Sequence, residues 1–272
     1  MHTTATTATS AGRTLPSRRR RQSGTELLLA CGAAAALLFV LTFTVDGALR
    51  AGYDPVRHYV SQLSLGPGGW VQVANFLVTG VLMVLFSLGM RRRLHPGRGS
   101  VAGPVLLGLV GAGLATAGIF SADPGLNGFP PGSSLPPGSP TAGFVVHILA
   151  AAVVFFSLPA ACAAVAFRSR RDHASRAWVL YTSASGALVW ALWAASTVLS
   201  GDGTAPIDPY IGAVQRIYLL IGFTWIAALS LRERAAERSR RTCLDAIAPP
   251  ASSVVGARTD AVRVRGVHVG RG

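Results

Sequence analysis

Lysine is absent from this chain, and charge of either sign is scarce: 13% of its 272 residues are Asp, Glu, Lys or Arg. A soluble domain carries about a quarter charged residues, so this sequence lacks the groups that keep a protein surface wet. Acidic residues number 11 against 25 arginines, which leaves a formal net charge of +14. That excess does not indicate nucleic acid as a partner. The arginines sit in clusters at the ends of apolar runs, the placement of topology signals in membrane proteins.

Cysteine is nearly absent as well. Cys31 and Cys162 lie inside apolar runs and Cys243 in a basic tail, which excludes a disulfide framework and any Cys/His spacing suited to a metal. The LLAC sequence at Leu28 to Cys31 resembles a lipoprotein box, but too few apolar residues precede the cysteine for a signal segment of about 7–15. Nucleotide-binding loops, haem motifs and dinucleotide fingerprints are missing. No cofactor and no metal are expected.

What the sequence does have is long apolar stretches. Six are long enough to cross the roughly 30 Å hydrocarbon layer, which takes about 20 helical residues. They cover about residues 26–45, 70–90, 101–120, 142–167, 177–199 and 210–231. The expected fold is an all-α integral membrane protein, one bundle of six transmembrane helices over residues 25–232. Residues 1–24 read as a disordered basic lead, with Arg18 to Arg21 in a row, and residues 233–272 as a basic tail that begins as a charged helical extension and becomes disordered from about Thr242. The first run is too long for a cleaved signal and lacks a small-residue cleavage site, so it is read as a retained span. Gly108, Gly111, Ala115 and Gly118 put a stripe of small side chains on the third span, a face suited to close helix packing. Pro159 is expected to kink the fourth.

All but three arginines fall in the lead, the second and fourth connections or the C-terminal region; the exceptions are Arg50, Arg57 and Arg216. The positive-inside rule therefore predicts both termini in the cytoplasm of a multi-pass plasma-membrane protein. The first, third and fifth connections then face outwards. The third, Ser121 to Thr141, is dense in Pro, Gly and Ser and must be aqueous, because exposed irregular backbone does not persist in hydrocarbon.

The outward half collects the polar residues of interest. Asp54, Arg57, His58 and Ser61 occupy the first connection, Asp123 follows the third span, and His147 and Arg216 lie inside the fourth and sixth. Asp54-Pro55 predicts a helix start with Asp54 as cap, giving a short outer or re-entrant helix that Gly66-Pro67-Gly68-Gly69 ends. An ionisable group inside a span faces the bundle or a polar cavity, because lipid offers no partner. For Arg216 this predicts an ion pair with Asp46, Asp54, Asp123 or Asp208, or a fork of donors for an anionic head group. His58, His147 and Asp123 could supply three ligands for zinc, but they come from three segments with no motif spacing. Hydrogen bonds to loop carbonyls or carboxylates are the simpler expectation. Ser61 lacks the GxSxG context of a nucleophile.

Four motifs in order relative to the spans carry a family resemblance: YDPVRHYVSQLSLG after the first, IFSADP after the third, a histidine opening the fourth and QRIY in the sixth. In these the chain resembles the bacterial membrane proteins of domain-of-unknown-function family 998, over roughly Leu28 to Arg232. The resemblance implies six helices and no established activity. It marks Asp54, Pro55, His58, Ser61, Leu63, Asp123, His147 and Arg216 as family-like positions.

The leading functional expectation is an outward polar pocket, built around Arg57, His58, Asp123, His147 and Arg216, that binds a lipid head group or small anionic ligand. Its rivals are a membrane-embedded hydrolase or transferase using His58, His147 and Asp123, and a structural subunit whose polar cluster only fixes helix register. The lipid bilayer is the expected partner; oligomeric state stays open.

Overall fold

The computed structural model describes residues 14–96, 100–200 and 206–247. Six long helices form it: α1 Thr14–Leu49, α2 Trp70–Leu94, α3 Ala102–Ile119, α4 Ala142–Arg171, α5 Arg176–Leu199 and α6 Ile211–Ile247. Three short 3-10 turns, Val60–Ser64, Leu126–Gly128 and Asp208–Tyr210, sit in the connections, and there is no strand among the described residues. Each of the six helices is long and apolar enough to cross a membrane.

Each helix packs against its neighbours in the chain, and α6 closes against α1, so the bundle is a ring. Both described ends lie on one side: Glu26 of α1 pairs with Arg238 and Arg241 of α6 at 3.4 Å. We call the other side, where residues 50–69 and 121–141 connect helices, the distal end.

The first and last helices outrun the sequence expectation. α1 already begins at Thr14, inside the stretch read as disordered, and α6 continues past Thr242 to Ile247. The run TLPSRRRRQSG has its proline only in the first turn, where the missing N–H costs nothing, and arginine is a good helix former. The rest of the expected lead and tail, residues 1–13 and 248–272, lies outside the described residues. α4 passes through Pro159 as one helix.

The ring is filled with aromatic side chains. Phe39 stacks on Phe223 at 4.4 Å between centroids and meets Phe43 edge-on at 5.5 Å; Trp225 and Phe86 are fully buried. The outer surface is apolar too, with Leu41, Val81, Leu149, Leu188 and Leu220 all exposed. Water would make such a surface costly, whereas hydrocarbon matches it. Between helices, small residues permit close approach. A Cβ on Gly80 of α2 would stand 2.7 Å from the Gly111 carbonyl oxygen of α3, and one on Gly118 2.9 Å from Phe76 Cβ. The small-residue stripe of α3 is thus its contact with α2. Polar bonds supplement it: Ser230 Oγ of α6 donates to Leu29 O at 2.6 Å and accepts from Ala33 N at 2.9 Å on α1.

Candidate functional site

The distal end is built on two arginines. Arg50, the residue that follows α1, makes a bidentate ion pair with Asp46 and donates to the carbonyls of Leu65, Pro67 and Gly68. It ties down the far end of the first connection. Arg216, one turn into α6, ties down the near end. Its Nη1 donates to the carbonyls of Pro55, His58 and Gly212, and its Nη2 donates to the Tyr53 phenol oxygen at 2.6 Å. The guanidinium also lies over the Tyr53 and Phe43 rings, 5.4 and 5.9 Å from their centroids. Among the described residues no carboxylate pairs with it, which corrects the expected partner. Carbonyl dipoles and a phenol surround this charge.

That fixation also explains why no helix starts at Pro55. The carbonyls of Pro55 and His58 point at Arg216, and that of Val56 accepts from Ala213 N of α6 at 2.9 Å. Acceptors a helix would use internally are diverted to α6. Gly212 makes the approach possible, because a Cβ there would be 2.4 Å from the His58 oxygen. The Asp54 cap survives as a local turn: its Oδ1 accepts from Val56 N at 2.8 Å. Helical geometry begins only at Val60, as a 3-10 turn.

His58 is buried and uses both ring nitrogens. Nδ1 accepts from Asp54 N–H at 2.8 Å, so the proton sits on Nε2, which donates to the Asn127 carbonyl at 3.1 Å. Burial holds its pKa below the ordinary histidine value, against smaller opposing pulls from the Asn127 bond and the Asp54 charge. Gln62, fully buried, accepts from Tyr59 N and donates to the Leu126 carbonyl. His58 and Gln62 thus anchor the 126–127 turn of the third connection. Asp123 secures the other end of that connection. It accepts from Thr141 Oγ1 at 2.6 Å, Thr141 N at 2.9 Å and Ser139 Oγ at 3.0 Å. Thr141 in turn caps α4 by accepting from Phe144 N. Desolvation pushes the Asp123 carboxyl up, but the Thr141 and Ser139 hydrogen bonds outweigh it and leave its pKa below the ordinary value.

His147 differs from both. It is 5% exposed, and its Nδ1 meets two carbonyl oxygens of the α3 end, Phe120 at 2.7 Å and Ala117 at 3.2 Å. Carbonyls only accept, so Nδ1 carries the proton and the neutral ring keeps Nε2 as an acceptor. No hydrogen bond reaches Nε2 from the described residues, and the ring lines a cavity of about 350 Å³. The cavity lies in the distal half of the ring, walled by Phe39, Phe76, Phe155 and Trp193 and by polar groups of Ser61, Asn127, Ser196 and Gln215. Its roof is the first and third connections. Gln215 Oε1 also fixes that roof by accepting from Val60 N at 2.6 Å. Burial, and then the charge of Asp208, which lines the cavity, push the Tyr59 phenol up.

Of the residues singled out from sequence, Ser61 and His147 line this cavity, whereas Asp54, Arg57, His58, Asp123 and Arg216 do not. Arg57 is exposed. No three His, Cys, Asp or Glu side chains come together as a metal site among the described residues. Sequence reading passed over Gln215, Trp193, Ser196 and Asn127 as site residues. Gln215 had a signal, an amide inside a span beside Arg216; the serine, Trp193 and Asn127 looked like ordinary span and loop residues.

A closed ring of six spanning helices with a roofed cavity at one end makes this a multi-pass membrane protein. The matching family model, described as "Protein of unknown function (DUF998)", covers residues 33–232. The chain belongs to that family. No curated protein and no solved structure matches it.

Proposed function

We propose that this protein binds the polar end of a small amphiphile, such as a lipid head group bearing a hydroxyl or amine, in the distal cavity. The distal end is taken as the outer face of the plasma membrane, because the arginine clusters collect at the opposite end. One observation carries the reading: the unpartnered Nε2 of His147, nearly buried, at a cavity whose other walls are mostly aromatic and aliphatic. A hydroxyl or amine on a ligand supplies the donor this acceptor can take. The volume sits at the lower end of the roughly 300–1,000 Å³ of small-molecule sites.

The ligand's polar end is a donor and not an anion. Neither Arg57 nor Arg216 lines the cavity, and the one ionisable carboxylate there is Asp208 among the described residues. The anionic half of the sequence expectation loses its support. A hydrolase has less support still, since His58 and Asp123 have their polar atoms bound to backbone and to Thr141 and Ser139.

The test is the thermal midpoint of purified protein with decanol, decylamine or decanoate, repeated on Ala151→Phe, which fills the cavity from α4. Decanol and decylamine raise the wild-type midpoint, decanoate does not, and the variant responds to none. Equal responses of wild type and variant, or a response to decanoate alone, overturn the reading.

A further inference from the structure

The cavity's side wall is the seam between α4 and α5, and this seam changes character along its length. Towards the centre of the bundle Trp193 of α5 closes it, stacked on Phe155 at 5.8 Å and edge-on to Phe156 at 4.9 Å. Distal to that seal the facing stripes are small: Ala151 and Ala152 on α4, Ser196 and Thr197 on α5, all lining the cavity. On each helix the two positions are consecutive, and Ser200, just past the end of α5 and one turn beyond Ser196, also lines the cavity. Small side chains on both sides of a helix pair leave a gap wherever the backbones are not in contact.

Two of the lining residues also face outwards. Ile148 lines the cavity and is yet 48% exposed, and Thr197 is also both lining and exposed. The surface around them is hydrocarbon-compatible: Leu149 is 61% exposed and Val198 80%. The roof over the cavity, by contrast, is pinned by the His58, Gln62 and Gln215 hydrogen bonds. A ligand with a tail faces a second constraint. A cavity of about 350 Å³ takes a head group and the first part of a chain, not a whole lipid, so the remaining chain must lie outside.

From these observations we propose that the α4–α5 seam between Ile148 and Thr197 is a lateral portal. Through it a long-chain lipid of the surrounding bilayer inserts a hydroxyl- or amine-bearing head group, leaving its hydrocarbon chain against Leu149 and Val198. This rests on the cavity-binding reading above and adds the substrate class, a resident membrane lipid, and its route.

Two diazirine-bearing alcohols test it on protein reconstituted in phosphatidylcholine vesicles: a sixteen-carbon alcohol confined to the bilayer and a water-soluble four-carbon one. Labelled residues are mapped by peptide mass spectrometry in wild type and in Val198→Trp, which adds bulk at the outer mouth of the seam and is not a cavity-lining position. In wild type both alcohols label cavity residues. In Val198→Trp long-alcohol labelling of Ser196 and Gln215 falls about tenfold, a factor worth about 1.4 kcal/mol, while short-alcohol labelling persists. Equal long-alcohol labelling in both proteins overturns the portal and leaves the binding site standing. Absence of cavity labelling by either alcohol in wild type overturns the binding site and the portal with it. Loss of both labels in the variant overturns the portal as a separate route, since the plug then acts on the cavity itself.

Discussion

Arg216 Nη2 and the Tyr53 phenol oxygen meet at 2.6 Å, joining the sixth helix to the connection that follows the first. The phenol passes the interaction on, donating to the His58 and Tyr59 carbonyls at 3.1 and 3.0 Å. Arg216→Lys has too few directed donors to reach Tyr53 and the Pro55 and His58 carbonyls together. Hydrogen bonds to a charged group contribute about 1.5–3 kcal/mol each, so both Arg216→Lys and Arg216→Met lower the unfolding midpoint. Tyr53→Phe lowers it less, since it costs about 1–3 kcal/mol of stability. Thermal unfolding of the three variants in detergent checks the order; a neutral Arg216→Met contradicts it.

His58 gives the roof a pH dependence. Its folded pKa lies below the unfolded value of about 6.5, so its contribution is complete above that value. It is lost as pH falls through the lower folded pKa, because a proton on Nδ1 would face the Asp54 N–H. Amide exchange of residues 54–64 and 126–129 therefore quickens on acidification below about 6.5, after correction for intrinsic rates. His58→Gln, which cannot titrate, removes that dependence; an unchanged profile refutes the assignment.

Asp123 and Thr141 form one unit. Thr141→Ala removes the cap of α4, at about 1 kcal/mol, and also one bond to Asp123. Asp123→Asn turns an acceptor towards donors on Thr141 and Ser139 into an amide that satisfies only some of them. Both variants are destabilised, and the double variant loses less than the sum, with a coupling of about 0.5–3 kcal/mol. Strict additivity in denaturant unfolding argues against the unit. The Asp123 contribution is present above the unfolded aspartate pKa of about 3.9 and is lost as pH falls through its lower folded value.

Packing of α2 on α3 predicts a contrast between glycines of the same bundle. A Cβ at Gly80 meets the Gly111 carbonyl at 2.7 Å, whereas one at Gly103 finds only Val165 Cγ2 at 3.8 Å. Gly80→Ala destabilises by about 1–3 kcal/mol through forced separation of the helices, and Gly103→Ala does not. Parallel thermal scans of the two read this directly.

The spans were legible because hydrocarbon thickness fixes a run length and arginine marks its ends, so residues such as Arg91, Arg92 and Arg93 delimit α2 without any contact map. The small-residue face of α3 was legible for the same reason: its period is a property of the helix itself. The site was legible only as depth. His147 and Arg216 stand out as ionisable groups inside spans, but their partners are carbonyls of Phe120, Ala117, Pro55 and His58. Backbone acceptors leave no mark in a sequence, so of the two readings for Arg216 the carboxylate pair is the one that these contacts replace. Asp123 shows the same limit. Its partner Thr141 is 18 residues away across the Pro/Gly loop, and nothing local foretells that closure. The cavity itself arises where Ala151, Ala152 and Ser196 fall short of filling a seam, a deficit that appears only when two helices are set side by side.

Native mass spectrometry of the protein released from membranes tests the central claim most directly, by weighing what the cavity holds. The account predicts that wild type carries a lipid-sized adduct whose fragment ions reveal a hydroxyl or amine and no anionic group, and that Ala151→Phe, equally folded, loses it. A wild-type protein that is bare, or one whose adducts persist unchanged in Ala151→Phe, contradicts the account.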